Sequence, residues 1–154
     1  MPAEKACPLC GHVDEQMEIG STSTFGAPDL DLRPAELMRS SLPFWVVRCG
    51  RCGYVRWAGD SEPIPDHAAA QRLVSSQEYQ GQLHCSDFPD LANDFLCLAQ
   101  IAEKANSPGE AGWSALRAAW ACDDEGLEHA ASACRSRAYG LFETALAAGQ
   151  EIVE

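Results

Sequence analysis

Cys7-Pro8-Leu9-Cys10 and Cys49-Gly50-Arg51-Cys52 are two copies of one chemical device, a pair of thiols separated by two residues and followed at once by glycine, Gly11 or Gly53. Two intervening residues let both sulfurs of a pair turn to the same side of a tight knuckle. The glycine supplies backbone angles that other residues resist. Together the pairs predict one four-cysteine zinc site with Cys7, Cys10, Cys49 and Cys52 as ligands. Four thiolates saturate a tetrahedral ion and leave no position for water, so the predicted zinc is structural and not catalytic. Iron fits the same thiolates, and redox use of the pairs is the remaining alternative.

No other constellation matches a recognisable reaction class. Cys85, Cys97, Cys122 and Cys134 are scattered singly, and Cys134 falls on an apolar helical face, where cysteine acts as a small hydrophobe. His84 beside Cys85 is the one adjacent base and nucleophile, but neighbours in sequence point apart and no third group completes a triad. His12 follows the first knuckle as a solvated side chain, and His67 and His129 sit at helix starts. The remaining polar cluster is Asp29, Asp31 and Arg33, with Glu36 and Arg39 near it. In an extended segment Asp29, Asp31 and Arg33 share one face and Leu30 and Leu32 the other. That cluster is either a ligand-binding loop or a structural one in which a carboxylate holds Arg33.

Positioning the thiols requires strands on either side of each knuckle. Phe44–Arg48 and Tyr54–Trp57 are aromatic and β-branched, which predicts a strand, knuckle, strand hairpin with Trp45, Val47, Tyr54 and Trp57 covering the metal. Val13–Ile19 is a shorter strand after the first knuckle. The 38 residues between Cys10 and Cys49 exceed an ordinary connection, and contain a predicted helical turn over Pro34–Arg39. The organisation expected is a ribbon over 1–58 with a long insert at 20–42, a proline-containing linker at 59–66, and a domain of about four helices over 67–154. The first helix starts behind Asp66 and ends near Gln77, and the second spans Pro89–Ala105, ended by Ser107-Pro108-Gly109. The third covers Glu110–Cys122 with Trp113, Leu116 and Trp120 inward. The fourth is capped by Asp123-Asp124-Glu125-Gly126, with Leu127, Ala131, Cys134, Ala138, Leu141 and Ala145 on its face. The fold class is α+β, a small antiparallel zinc ribbon followed by an α-helical hairpin or bundle. The third and fourth helices pair in a tetratricopeptide-like manner, although their halves stand further apart than in a standard unit of about 34 residues.

Ser21–Tyr54, with its Asp31-Leu32-Arg33-Pro34, and the helical stretch from Trp113 to Asp124 resemble a family of small bacterial proteins of unknown function. That family has a split four-cysteine ribbon followed by tetratricopeptide-like helices; it often shows Phe where this chain has Leu32. The resemblance implies the architecture and a metal held by the four cysteines, and it implies no reaction.

Charge and composition narrow the function classes. Residues 1–56 hold six Lys/Arg against seven Asp/Glu, while 57–154 hold five against sixteen. The acidic helical half repels phosphate backbones, so only the ribbon could meet nucleic acid, through Arg33, Arg39, Arg48, Arg51 and Arg56. Neither a signal-peptide pattern nor a membrane-length apolar run occurs, so a cytoplasmic location is expected, where paired cysteines usually hold metal. The leading expectation is a protein–protein adaptor or assembly factor with a structural zinc ion. A nucleic-acid-binding ribbon comes second, and an enzyme or small-ligand binder built on Asp29, Asp31 and Arg33 third.

Overall fold

The computed structural model describes residues 2–153, so the outermost expected domain limits, Met1 and Glu154, lie outside the described residues. The architecture is α+β, and the chain divides into two compact units, Met1–Pro65 and Asp66–Glu154.

The first unit is built from two hairpins of the same design. Strand β1 (Pro2–Ala6) pairs antiparallel with β2 (Val13–Met17), and β3 (Val46–Arg48) pairs antiparallel with β4 (Val55–Trp57). β1 has no counterpart among the expectations: Pro-Ala-Glu-Lys-Ala is a poor strand former, and its pairing is imposed by the knuckle that folds it back onto β2. In the second hairpin, period-two alternation puts Trp57 on the face of Val46 and Val55, opposite Trp45, Val47 and Tyr54. Val46 and Val55 are buried on one face and Arg56 on the other, and the four residues expected to cover the metal are all half-buried. Of the four, Tyr54 stands near the thiols, its phenol raised by burial and by charges that include Asp60 and Cys7.

The insert folds back on itself. Thr24 bridges Leu37, the Phe25 amide donates to the Glu36 carbonyl at 2.6 Å, and the Leu37 amide donates to Ser23 at 2.9 Å. Its helical turn is a 3-10 segment at Arg39–Phe44 and not the expected Pro34–Arg39.

Against the expectation of about four helices, the described residues of the second unit form five: α1 (His67–Ser75), α2 (Gln77–Leu83), α3 (Asp90–Lys104), α4 (Pro108–Asp124) and α5 (Glu128–Ala147). Asp66 caps α1 through the Ala69 amide at 2.9 Å. Ser76 is extended and ends α1 close to the expected limit near Gln77, and its hydroxyl accepts the Tyr79 amide to start α2 in a stretch where no helix was expected. Asn106, in the left-handed region, ends α3, and Pro108 starts α4 where the sequence reading placed a terminator. Asp123 and Asp124 belong to the last turn of α4 and do not cap α5. Gly126 has φ +71°, its amide donates to Asp123, and the Leu127 amide donates to Cys122, which is the helix-ending pattern that requires a left-handed residue. Carboxylates at a helix C-terminus oppose the helix dipole, and Arg135 offsets this by gripping both oxygens of Asp123 at 2.6 and 3.2 Å.

Trp120, Tyr79 and Phe95 are the large, fully buried side chains of this unit. Trp113 meets Phe142 edge to face with centroids 5.3 Å apart, and α4 approaches α5 at Gly112, where a Cβ would stand 2.6 Å from the Phe142 ring. Ala131, Cys134, Ala138 and Ala145 face inward as expected, whereas Leu127 is exposed.

Candidate metal centre

Each knuckle is made the same way from main-chain atoms. The Cys7 amide donates to the His12 carbonyl at 2.7 Å and the Gly11 amide to Cys7 at 2.9 Å; the matching bonds of the second knuckle join Cys49 to Tyr54 at 2.9 Å and Gly53 to Cys49 at 3.0 Å. Gly11 and Gly53 have φ of +76° and +79°, which is why glycine follows both pairs. Amides then converge on the sulfurs. Arg51 and Cys52 donate to Cys49 Sγ at 3.4 and 3.5 Å and Tyr54 donates to Cys52 Sγ at 3.5 Å. Leu9 and Cys10 donate to Cys7, and His12 donates its amide to Cys10. Six N–H groups thus face four sulfurs, the arrangement that disperses thiolate charge.

The two knuckles bring all four ligand atoms within 4.8 Å of one another. Across the knuckles, Cys7 Sγ lies 3.7 Å from Cys52 Sγ, and Cys10 Sγ 3.6 Å from Cys49 Sγ. A tetrahedron with metal–sulfur bonds of about 2.3 Å has edges of about 3.8 Å, so the spacing fits one ion. A multi-iron cluster, which places several irons and sulfides between the thiolates, needs them further apart. Cys7 and Cys49 are buried and Cys10 and Cys52 partly so. Burial raises the Cys7 thiol, and burial together with the neighbouring sulfurs raises Cys52. Cys10 feels desolvation too, but the His12 amide and the facing cysteines outweigh it and lower this thiol. Crowded thiols that cannot all ionise unaided are what a divalent cation converts to thiolates.

A carboxylate ties one knuckle to the other. Asp14 Oδ2 accepts the Gly50 amide at 3.0 Å, and a Cβ at Gly50 would stand 3.2 Å from Asp14 Oδ1. The same carboxylate lies 3.2 Å from His12 Nε2, so the His12 ring is engaged at the edge of the site through Asp14 and its main chain through Cys10. Asp14 carries no sequence signal of this role, because its partner is 36 residues away.

Asp29, Asp31 and Arg33 do not share an extended face. The Leu32 amide donates to the Asp29 carbonyl and the Asp29 amide to the Arg33 carbonyl, closing a turn in which Leu32 takes φ +67°. Asp29 turns to Arg39 at 2.6 Å, and Asp31 accepts the Arg33 amide at 3.4 Å. Arg33 is only 6% exposed, while Leu30, expected as an apolar anchor, is fully exposed and Leu32 half so. Burial also removes Arg33 and Arg56, at 8%, from the set of arginines open to a phosphate backbone, and Arg56 donates to the Asp60 carbonyl and to Gln16. His84 is exposed, and the Cys85 carbonyl accepts from Asn93 at 2.8 Å.

Two of the four remaining cysteines are not isolated. Cys122 of α4 and Cys134 of α5 hydrogen-bond each other; burial raises Cys122, and burial with the Cys122 charge pushes Cys134 up to about 12. Only a helix-packing register could have revealed this pair.

Among the described residues, no helix is long and apolar enough to cross a membrane. The chain matches no protein-family profile, no curated protein and no solved structure.

Proposed function

We propose that this chain is a zinc-ribbon adaptor, in which a structural metal ion holds together a small protein-binding unit and the same chain carries a helical module. The observation that carries the reading is the closed set of four sulfurs within 4.8 Å, which occupies every position of a tetrahedral ion. Zinc is the ion favoured for a structural four-thiolate site in a reducing compartment, and free thiols throughout the chain suit the cytoplasm. The antiparallel α4–α5 pair, closely packed at Gly112, supports a tetratricopeptide-like surface and the kinship suggested by Ser21–Tyr54. Met17, Phe25, Leu30 and Leu37 of the first unit are open to solvent, individual apolar groups that a partner could cover.

Elemental analysis of the purified chain tests the metal, with one zinc per chain expected and loss in Cys49→Ser. Affinity capture with the zinc-loaded chain tests the adaptor, with a reproducible protein partner expected and its absence under Cys49→Ser. Zinc binding without any partner would leave the ribbon standing and overturn the adaptor.

A further inference from the structure

Among the described residues each hairpin of the first unit contains two strands, and no third strand pairs along the edges of either sheet. A groove of about 380 Å³ runs between two of these edges, lined by four consecutive residues of β2, Asp14 to Met17, and by all of β3, Val46 to Arg48. Consecutive residues point alternately to opposite faces of a sheet, so a groove lined by every residue of a strand follows its hydrogen-bonding edge and not a face.

The register identifies the main-chain groups on that edge. Cys7 and His12 form a hydrogen-bonded pair, and such pairs alternate along an antiparallel ladder. Asp14 and Gln16 therefore bond β1, while the N–H and C=O of Glu15 and Met17 point outward into the groove. By the same alternation from Cys49 and Tyr54, the main-chain groups of Val46 point away from β4.

We propose that this groove takes an extended polypeptide segment of a partner protein, which adds a strand to the β2 edge. Outward donors and acceptors at two-residue spacing are met in full only by another extended main chain. The side chains along the groove add the chemistry of the segment. Met17 and Phe44 are exposed apolar groups on its walls; Glu15, with Asp14 beside it, makes the β2 side acidic, and Arg48 lines the β3 side. Lys5 of the first hairpin is held by Glu18. The segment that fits alternates apolar residues with lysine or arginine. This inference rests on the adaptor reading and names the class of its partner.

Amide resonances and hydrogen exchange of the zinc-loaded full chain, titrated with a capped eight-residue peptide of alternating valine and lysine, test it. Slowed exchange at the Glu15, Met17 and Val46 amides is expected, with weaker binding of the valine–glutamate counterpart. Alternate N-methylation of the valine–lysine peptide should weaken binding about threefold to tenfold or more, since each methyl removes a main-chain donor. Glu15→Pro removes an outward N–H that β1 does not use and should weaken the unmodified peptide similarly while zinc content stays the same. If that variant loses zinc, the N-methylated peptide against the native chain decides alone. No protection at millimolar peptide, or binding indifferent to N-methylation, would overturn the groove. A captured partner that still binds Glu15→Pro would overturn it too and leave the adaptor reading intact.

Discussion

Withdrawing the metal should unfold the first unit and spare the second. Apart from its cysteines, the buried apolar side chains of the first unit are Leu9, Leu42, Val46 and Val55. At about 1.5–3 kcal/mol for each buried aliphatic, these four contribute about 6–12 kcal/mol, which must offset the ordering of a ribbon with a long insert. Closure of four thiolates on zinc contributes about 10–16 kcal/mol in small modules, at least comparable to the whole of that core. The helical unit has its own core around Trp120, Tyr79 and Phe95 and no share in the metal. A strong chelator added to the full chain should therefore collapse the amide dispersion of Arg51, Cys52 and Tyr54, while far-ultraviolet helix ellipticity falls little. Thermal melting should change from two transitions to one, and a colorimetric indicator should report one metal ion released per chain. Retention of dispersed ribbon amides with the metal gone would refute the reasoning, because the small apolar core would then suffice alone.

Three further perturbations probe packing, backbone and titration. Gly112→Ala places a methyl against the Phe142 ring and should lower helical-unit stability by about 1–3 kcal/mol in thermal denaturation, with no loss of metal. Leu32→Gly removes the cost of a left-handed leucine, about 1–2 kcal/mol, against about 0.5–1 kcal/mol of added chain freedom, so the first unit should gain up to about 1.5 kcal/mol in chemical denaturation. The Cys134 thiol ionises at about 12 when folded, above its ordinary value of 9.0, so its neutral form favours the folded state. That stability is complete below pH 9 and is lost as pH rises toward 12; the melting temperature of the helical unit should fall across that window, less steeply in Cys134→Ala.

The knuckles were legible because Cys-x-x-Cys-Gly encodes its own geometry within five residues: the glycine at φ near +76° and the amides on the sulfurs are local consequences of the pattern. Helices α3 to α5 were legible from periodicity, since Phe95, Leu98 and Ala102, then Trp113, Leu116 and Trp120, then Ala131, Cys134 and Ala138 each recur at helical spacing and are buried. Their boundaries were not. Asp123-Asp124-Glu125-Gly126 reads as either the end of one helix or the start of the next, and the left-handed Gly126 with the long-range grip of Arg135 decides for the end. The insert was misread because alternation of Asp29, Asp31 and Arg33 suggests an extended strand, whereas Leu32 adopts a conformation that leucine seldom takes. The Asp14–Gly50 link joins residues 36 apart, and β1 and the Cys122–Cys134 contact depend on how two neighbouring elements pair, which the periodicity of either element alone does not report.

The split between the two knuckles places the feet of the insert, at 20–42, on a ribbon whose halves meet at the four cysteines, where an ion held by those sulfurs would pin them to each other. Once its ends are pinned, lengthening a loop costs only about 0.6 kcal/mol per doubling. Such an ion would free that stretch from any duty to hold the ribbon together. Its length and its exposed tip at Leu30 are open to wide variation among descendants of this chain, or to replacement by a grafted recognition loop, without disturbing the anchor beneath.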